Sequence, residues 1–486
     1  RPTVALDFAT YRPPGTYIEE TSTPVSSPTG TTSVLVALVG PSIGYRRFTE
    51  TLILNGTTAT AVTKKGAIPA SVKVTSLDGA TIFDVTDDYT VAATAGVDSD
   101  LAQLVDNGMN VTRVAIGSIT DGQAVRVTYN YADVSYYQPV RVADFEVVKD
   151  LYGDPFDPTT GAITSPLSMA AKVAFENGAR EVILLATVGT STVTTGALSA
   201  AYPKLLNLHE VGVVVPVTAG ISSGADLATA STDLANHCDQ ASSDGFFRVG
   251  VLGCDTSYAT GTPQAIAETA NSKRVIVAWP NNLLFYNAFT GNTVEVGGQY
   301  LAAAYGGKLV SKGVQHGLTR KGITSFAGIA AGTLSTLTKA NKDTWSNGGV
   351  AVTELTRNNT LIVRHGTSTD TSSTATREIS VTRAKDQMVR LIQDTIDSAQ
   401  VIGSPITSIS VQQIKSIVGG VLENCVDAEI IVSYNELVGR IRPGDPQVIE
   451  VKFMYRPAWP LNYILVSFSI DTSTGTTEFG AGTTIG

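Results

Sequence analysis

The sequence predicts a mixed, multidomain fold: an α/β middle part, an α+β C-terminal part and an all-β insertion. Three observations predict it. From about residue 134, apolar strand-like runs alternate with helical patterns, the rhythm of a largely parallel sheet with helices on its faces. Between residues 49 and 133, short β-forming runs are separated by turn dipeptides, as in a small sandwich or barrel. The length of 486 residues corresponds to about three domains of ~150 residues.

Taken in order, residues 1–32 are rich in Pro, Thr and Gly (YRPPGTYIEETSTPVSSPTGTT) and cannot bury enough apolar surface to fold alone, so an extended arm is expected. Residues 33–48 contain the apolar run Ser33–Val39, a buried strand joining the core and stopped by Gly40-Pro41. The 49–133 insertion has strand-like runs at Thr51–Leu54, Ser71–Ser76, Thr81–Val85, Tyr89–Ala92, Thr112–Ile116 and Ala124–Tyr131. Asn55-Gly56, Asp78-Gly79 and Asp121-Gly122 supply turns.

The middle domain, 134–345, opens its pattern with a helix at Ser168–Asn177 capped by Gly178, then a strand at Arg180–Val188. Strands at Val211–Val217, Phe246–Leu252 and Arg274–Trp279 come next, separated by helices near Asp226–Gln240 and Pro263–Asn271. The C-terminal domain, 346–471, places Ala384, Met388, Leu391, Ile392, Ile396 and Ala399 on one stripe of a helix over Arg383–Ala399. A second helix, Ser410–Cys425, opens with the capping box Ser410-x-x-Gln413 and contains Gly419-Gly420, which suggests close approach of another backbone. Strands are expected at Glu429–Tyr434, Val448–Tyr455 and Tyr463–Ile470, the second with Ile449, Val451, Phe453 and Tyr455 on its buried face. Residues 472–486 form a second arm unable to fold alone.

Charge and composition narrow the function. Charged residues are 16%, against about 25% in an ordinary chain. The balance of 34 basic and 43 acidic residues gives −9, which argues against a nucleic-acid surface. Hydrophobic residues at 43% argue against disorder. Cys238, Cys254 and Cys425 are isolated, so reduced buried thiols are expected, fitting assembly in a cytoplasm. No apolar run approaches the ~18 residues of a membrane span, and the first fifteen residues show no export signal.

Catalytic patterns are scarce. His209, His237, His316 and His365 form neither HxH nor HExxH, so no metal site is expected. Gly306-Gly307-Lys308 resembles a P-loop end, but Leu309 stands where Ser or Thr is needed. No cofactor is implied. Gly220-Ile221-Ser222-Ser223-Gly224 fits GxSxG, and Ser222 as nucleophile of a hydrolase with β modules is the alternative reading. A non-contractile surface-layer or fibre protein is a third. Two unfoldable ends flanking sheet-containing domains favour a structural subunit, because an extended end can add a strand to a neighbour's sheet. Head-to-tail contacts of that kind need not close and can build helical tubes.

The segment Pro14-Gly15-Thr16-Tyr17-Ile18-Glu19-Glu20 resembles the PGVYIEE-type opening of contractile tail sheath proteins, and Ser33–Pro41 is similar to the next segment of that family. Asp150–Gly153 and Asn177-Gly178 resemble the family's middle part. Thr360–Arg364, the helix from Arg383, Gly403 through the capped helix, and Arg456-Pro457 keep its order at the C-terminus. The resemblance covers roughly 13–41, 140–190 and 275–471. It implies a bacteriophage structural protein without enzymatic activity, assembled in the bacterial host cytoplasm into the virion tail. Hexameric rings stack as a helical homo-oligomer around a tail tube protein, with baseplate and tail terminator proteins as further partners and neither nucleic acid nor membrane insertion. Contraction drives the tube through the cell envelope. The resemblance further implies that Thr16, Tyr17, Ile18, Glu19 and Glu20 in one arm, and Ile464, Val466, Phe468 and Ile470 at the other end, complete the C-terminal domains of neighbours by strand exchange. It also makes Gln413, Lys415, Ser416 and Glu423 the expected tube contact, and the insertion outward-facing.

Overall fold

The computed structural model describes residues 34–42, 46–94, 108–131, 137–187, 190–258, 262–406, 410–467, 469–470 and 477–478. The arm residues Thr16–Glu20, and Phe468, lie outside them.

A nine-stranded sheet forms the body. Its labelled strands are β1 (Leu35–Gly40), β2 (Val140–Val142), β3 (Val182–Ala186), β4 (Val211–Pro216), β5 (Val249–Gly253), β6 (Val275–Trp279), β7 (Val350–Leu355) and β8 (Leu361–Val363). From edge to edge the order is Gly322–Ile323, β8, β7, β6, β5, β4, β1, β3, β2. The six strands from β7 to β3 are parallel, and the edges are antiparallel. Val182–Ala186 and Val211–Pro216 are buried at every position, as a strand covered on both faces requires.

Helices α1 (Pro166–Glu176) and α4 (Gly298–Ser311) pack on one another on one face, while α2 (Gly224–Ser243) and α3 (Pro263–Ala270) pair on the other. Leu234 of α2 presses on Gly250. On the opposite face, a Cβ at Gly253 would stand 1.9 Å from the Gly298 carbonyl oxygen, so the start of α4 touches bare backbone there.

The insertion has its own core of Leu54, Val74, Met109, Val111, Val125, Val127 and Tyr129 between a four-stranded and a three-stranded sheet. Arg46–Leu54 pairs with Gln123–Tyr131 along its full length. Two expected strands shift. Ser71–Ser76 opens as a 3-10 turn and pairs only over Lys73–Thr75, and the strand expected at Thr112–Ile116 is Gly108–Arg113, leaving Ile116 exposed.

The sheet also runs through the division expected at 345/346. β7 adds parallel to β6, and the body's core continues to Ile379. A strand's own residues do not say which sheet it joins, so that boundary falls too early when read from sequence. A separate core begins within α5 (Ile379–Ser398) and continues through α6 (Val411–Asp427), β9 (Ile431–Ile441) and β10 (Ile449–Pro457). Met388, Ile392 and Ile396 of α5 face Val418, Leu422 and Cys425 of α6; Ala399, expected on the stripe, is exposed. All three cysteines are buried and none is in a disulfide. Among the described residues, no helix is long and apolar enough to cross a membrane.

Candidate assembly interface

The C-terminal unit starts from a capped helix. The Ser410 hydroxyl accepts from the Gln413 amide at 3.0 Å, one half of the expected capping box. The stripe Ile414, Val418, Val421, Leu422 and Cys425 then turns α6 inward. β9 and β10 form an antiparallel hairpin, from Ile441 opposite Ile449 to Ile431 opposite Pro457. Register shifts after Ile431 and Asn435 bend β9, and Glu436 takes a left-handed φ of 55° at the second. Ile449, Val451, Phe453 and Tyr455 turn towards α6, as expected. Among the described residues neither strand has a second sheet partner, so both outer edges of the hairpin are open.

The chain leaves the hairpin as a strap. Ala458 donates to the Ile430 carbonyl at 3.4 Å. Asn462 Nδ2 donates to Glu378 Oε1 at 2.8 Å, and His365 Nε2 lies 2.7 Å from the same oxygen. Beyond this clasp, Tyr463, Ile464, Leu465 and Val466 are 84%, 76%, 93% and 65% exposed. The strand expected at Tyr463–Ile470 is absent over 458–467, which has no regular hydrogen bonding. An extended segment forms a strand only when it is laid along an edge, and among the described residues no strand lies along 463–467. Ile470 sits in a two-residue strand, Ser469–Ile470, paired with Thr477–Glu478.

Three arginines fix α5 to the body. Arg274, at the start of β6, grips Asp386 with both terminal nitrogens, one at 2.9 Å, and both side chains are buried. Burial opposes the Arg274 charge, but Asp386 outweighs it and raises the pKa. Arg383 donates to the Leu309 carbonyl at the end of α4 at 2.8 Å; burial brings it down to about 10, against the pull of Asp386. Arg390 donates to the His209 carbonyl at 3.2 Å. These anchors are not legible in the sequence, because Arg274 and Asp386 are 112 positions apart.

Gln413, Ser416 and Glu423 share the exposed side of α6, but Lys415 does not. It is half-buried, and its Cβ is 3.7 Å from where a Gly439 side chain would begin on β9. Glu423 accepts from the Tyr434 hydroxyl at 2.6 Å, which raises the Tyr434 pKa. Gly419 meets only the Leu437 side chain and Gly420 faces open space, so no backbone among the described residues explains the pair.

The GxSxG segment is a helix cap. Ser223 Oγ accepts from the Asp226 amide at 3.0 Å to start α2, and Ser222 is exposed without a histidine bonded to it. His237 is buried, stacked on Tyr202 at 4.9 Å and 3.3 Å from an Arg248 nitrogen. Burial, then the Arg248 charge, lowers its pKa to about 3. Arg248 also donates to the carbonyls of Phe246, Leu205, Leu206 and Leu208. Among the described residues no cluster of three or more His, Cys, Asp or Glu side chains could hold a metal.

A sheet-centred body carrying an open-edged hairpin and an exposed apolar strap has the surfaces of a chain that meets other chains. The chain is 33% identical over 421 residues to the tail sheath protein of Mycobacterium phage Bxz1, spanning 85% of this chain and 70% of that one. It belongs to the contractile tail sheath family. No family-wide sequence profile matches it. Its mixed α/β fold is that of the helical sheath of the anti-feeding prophage in the contracted state, at TM-score 0.55 and 14% identity over 95% of this chain and 100% of that one. The sheath of the extracellular contractile injection system PVC, also contracted, gives 0.50 at 12% identity over 96% and 99%. A chain of the anti-feeding prophage baseplate gives 0.55 at 13% identity over 95% and 100%.

Proposed function

We propose that this chain is the non-catalytic subunit of a phage tail sheath that stacks as hexameric rings around a tail tube and contracts to drive the tube through the host envelope. The observation that carries the assembly reading is the strap. Four consecutive large apolar or aromatic side chains, Tyr463–Val466, stand in solvent beside a hairpin with two unpaired edges. Strand addition between copies removes both liabilities at once. In this reading Thr16–Glu20 of one copy, and Ile464, Val466, Phe468 and Ile470 of another, complete the hairpin sheet of a third. The exposed side of α6, with Gln413, Ser416 and Glu423, faces the tube, and Lys415 supports it from the hairpin side. Baseplate and terminator proteins cap the stack, which is built in the bacterial cytoplasm and carried in the virion tail.

The work of contraction comes from the packing free energy of the lattice, with the extended state held kinetically. The purified chain is expected to form striated hollow tubes in negative stain. A chain truncated after Asn462 should stay as small particles with an unchanged melting transition. Tubes from the truncated chain would overturn strand exchange by this segment.

A further inference from the structure

The end of α4, the loop after it and the residues before the sheet's edge strand line a pocket of about 130 Å³. Its polar lining is Lys308, Lys312, His316 and Lys321. Among the described residues, no carboxylate pairs with any of these three ammonium groups. The nearby acid Glu354 is already shared by Lys342, Arg320 and Arg364. Three unpaired lysines round one cavity are conspicuous in a chain of 34 cations and 43 anions. Burial, then the neighbouring Lys312 charge, lowers the Lys308 pKa, so the arrangement is costly by itself and an incoming anion relieves it.

The position of the pocket selects the anion. Gly317 lines it, and Pro460 Cβ is 3.8 Å from where a Gly317 side chain would begin. The pocket therefore abuts the root of the strap, just before the Asn462 clasp. A strand laid antiparallel on Tyr463–Val466 ends at that root. The N-terminal segment expected to pair, Thr16–Glu20, ends in two carboxylates.

We propose that the Lys308–Lys312–Lys321 pocket receives the Glu19-Glu20 carboxylates of a second copy of this chain, whose N-terminal segment lies antiparallel along the strap. The proposal rests on the assembly reading above and adds direction and register to it: opposite charges at one end of the strand pair exclude the parallel arrangement and a slipped one.

The test uses the full chain and a fluorescent peptide of residues 12–32, monitored by anisotropy at low salt. Binding should weaken about tenfold for the Lys308→Gln/Lys312→Gln/Lys321→Gln chain, and equally for a Glu19→Gln/Glu20→Gln peptide. The exposed single change Lys312→Glu keeps the test open if the triple variant melts early. It should weaken the native peptide and be rescued by a Glu19→Lys/Glu20→Lys peptide. Equal binding to wild type and both variants, or equal binding of a scrambled peptide of the same charge, overturns the proposal. Tube formation is scored separately in negative stain: absence of tubes with intact charge-swap rescue sinks the assembly reading and leaves the pocket standing.

Discussion

Protonating His237 means placing a second cation beside Arg248 in a buried site. An unfolded histidine titrates near 6.5 and this folded one near 3, so the unfolded chain takes the proton first as pH falls. The stability it contributes is full above about pH 6.5 and is lost progressively towards pH 3, at up to about 1.4 kcal/mol per pH unit. Urea midpoints at pH 7.0 and 5.5 check this. The wild-type midpoint should fall clearly between them, and the fall should be smaller in His237→Asn. An identical pH response in both would show that another group carries it. The Arg274–Asp386 pair makes a second residue-scale prediction. Asp386→Asn leaves a buried guanidinium without its anion and should cost about 3–5 kcal/mol in chemical denaturation. A loss below about 1 kcal/mol would mean that water reaches the pair.

At the scale of elements, the strap behaves oppositely to a core strand. Ile464→Pro with Val466→Pro removes two amide donors from a segment that makes no regular bonds in the isolated chain. The melting temperature should therefore stay within a degree or two while polymerisation, read by light scattering, is lost. Polymerisation at the wild-type rate would mean that the strap pairs with nothing. The elements also show what a sequence can carry. The apolar runs of β3, β4, β5 and β6 are legible because a strand covered on both faces has almost no polar residues. The alternation of Ile449, Val451, Phe453 and Tyr455 is legible because one face of the hairpin meets α6 and the other meets solvent. Tyr463–Val466 misleads because its composition is that of a strand while none of the described residues pairs with it. The residues expected at the tube contact on α6 are half legible: helical spacing separates Gln413, Ser416 and Glu423 from the core, but only the fold shows Lys415 turned towards Gly439 and Glu423 bonded to Tyr434. The basic pocket escapes sequence reasoning because Lys321 joins Lys308 and Lys312 only when the loop after α4 folds back to the sheet edge.

For the whole molecule, the Arg274–Asp386, Arg383 and Arg390 contacts make the C-terminal unit and the α/β body one mechanical piece. If the sheath changes length, these contacts should persist and the chain should flex beyond the Asn462 clasp. Cryo-EM maps of extended and contracted sheaths should superpose the body with α5 and α6 to within about 1 Å. Rupture of the Arg274–Asp386 contact in either state would refute this. The insertion, by contrast, has its own core and, among the described residues, shares no sheet with the body. It departs after β1 and returns at β2, and both flank the same end of β3, where Gly40 lies opposite Ala186 and Val140 opposite Leu184. Two strand spacings separate these ends, about 10 Å. Replacing residues 46–131 by a short Gly/Ser linker should therefore leave the body folded, with an unchanged circular dichroism melting transition for the remainder. Collapse of the body would show that the insertion's core is not independent.

That narrow pair of exits makes the molecule a natural socket. Any foreign domain whose own termini lie two strand widths apart, about 10 Å, can be plugged in without disturbing the nine-stranded sheet. In a regular lattice each copy would then carry its cargo at an identical orientation. Enzymes or antigens grafted there would be presented as an ordered array, with spacing dictated by the lattice alone.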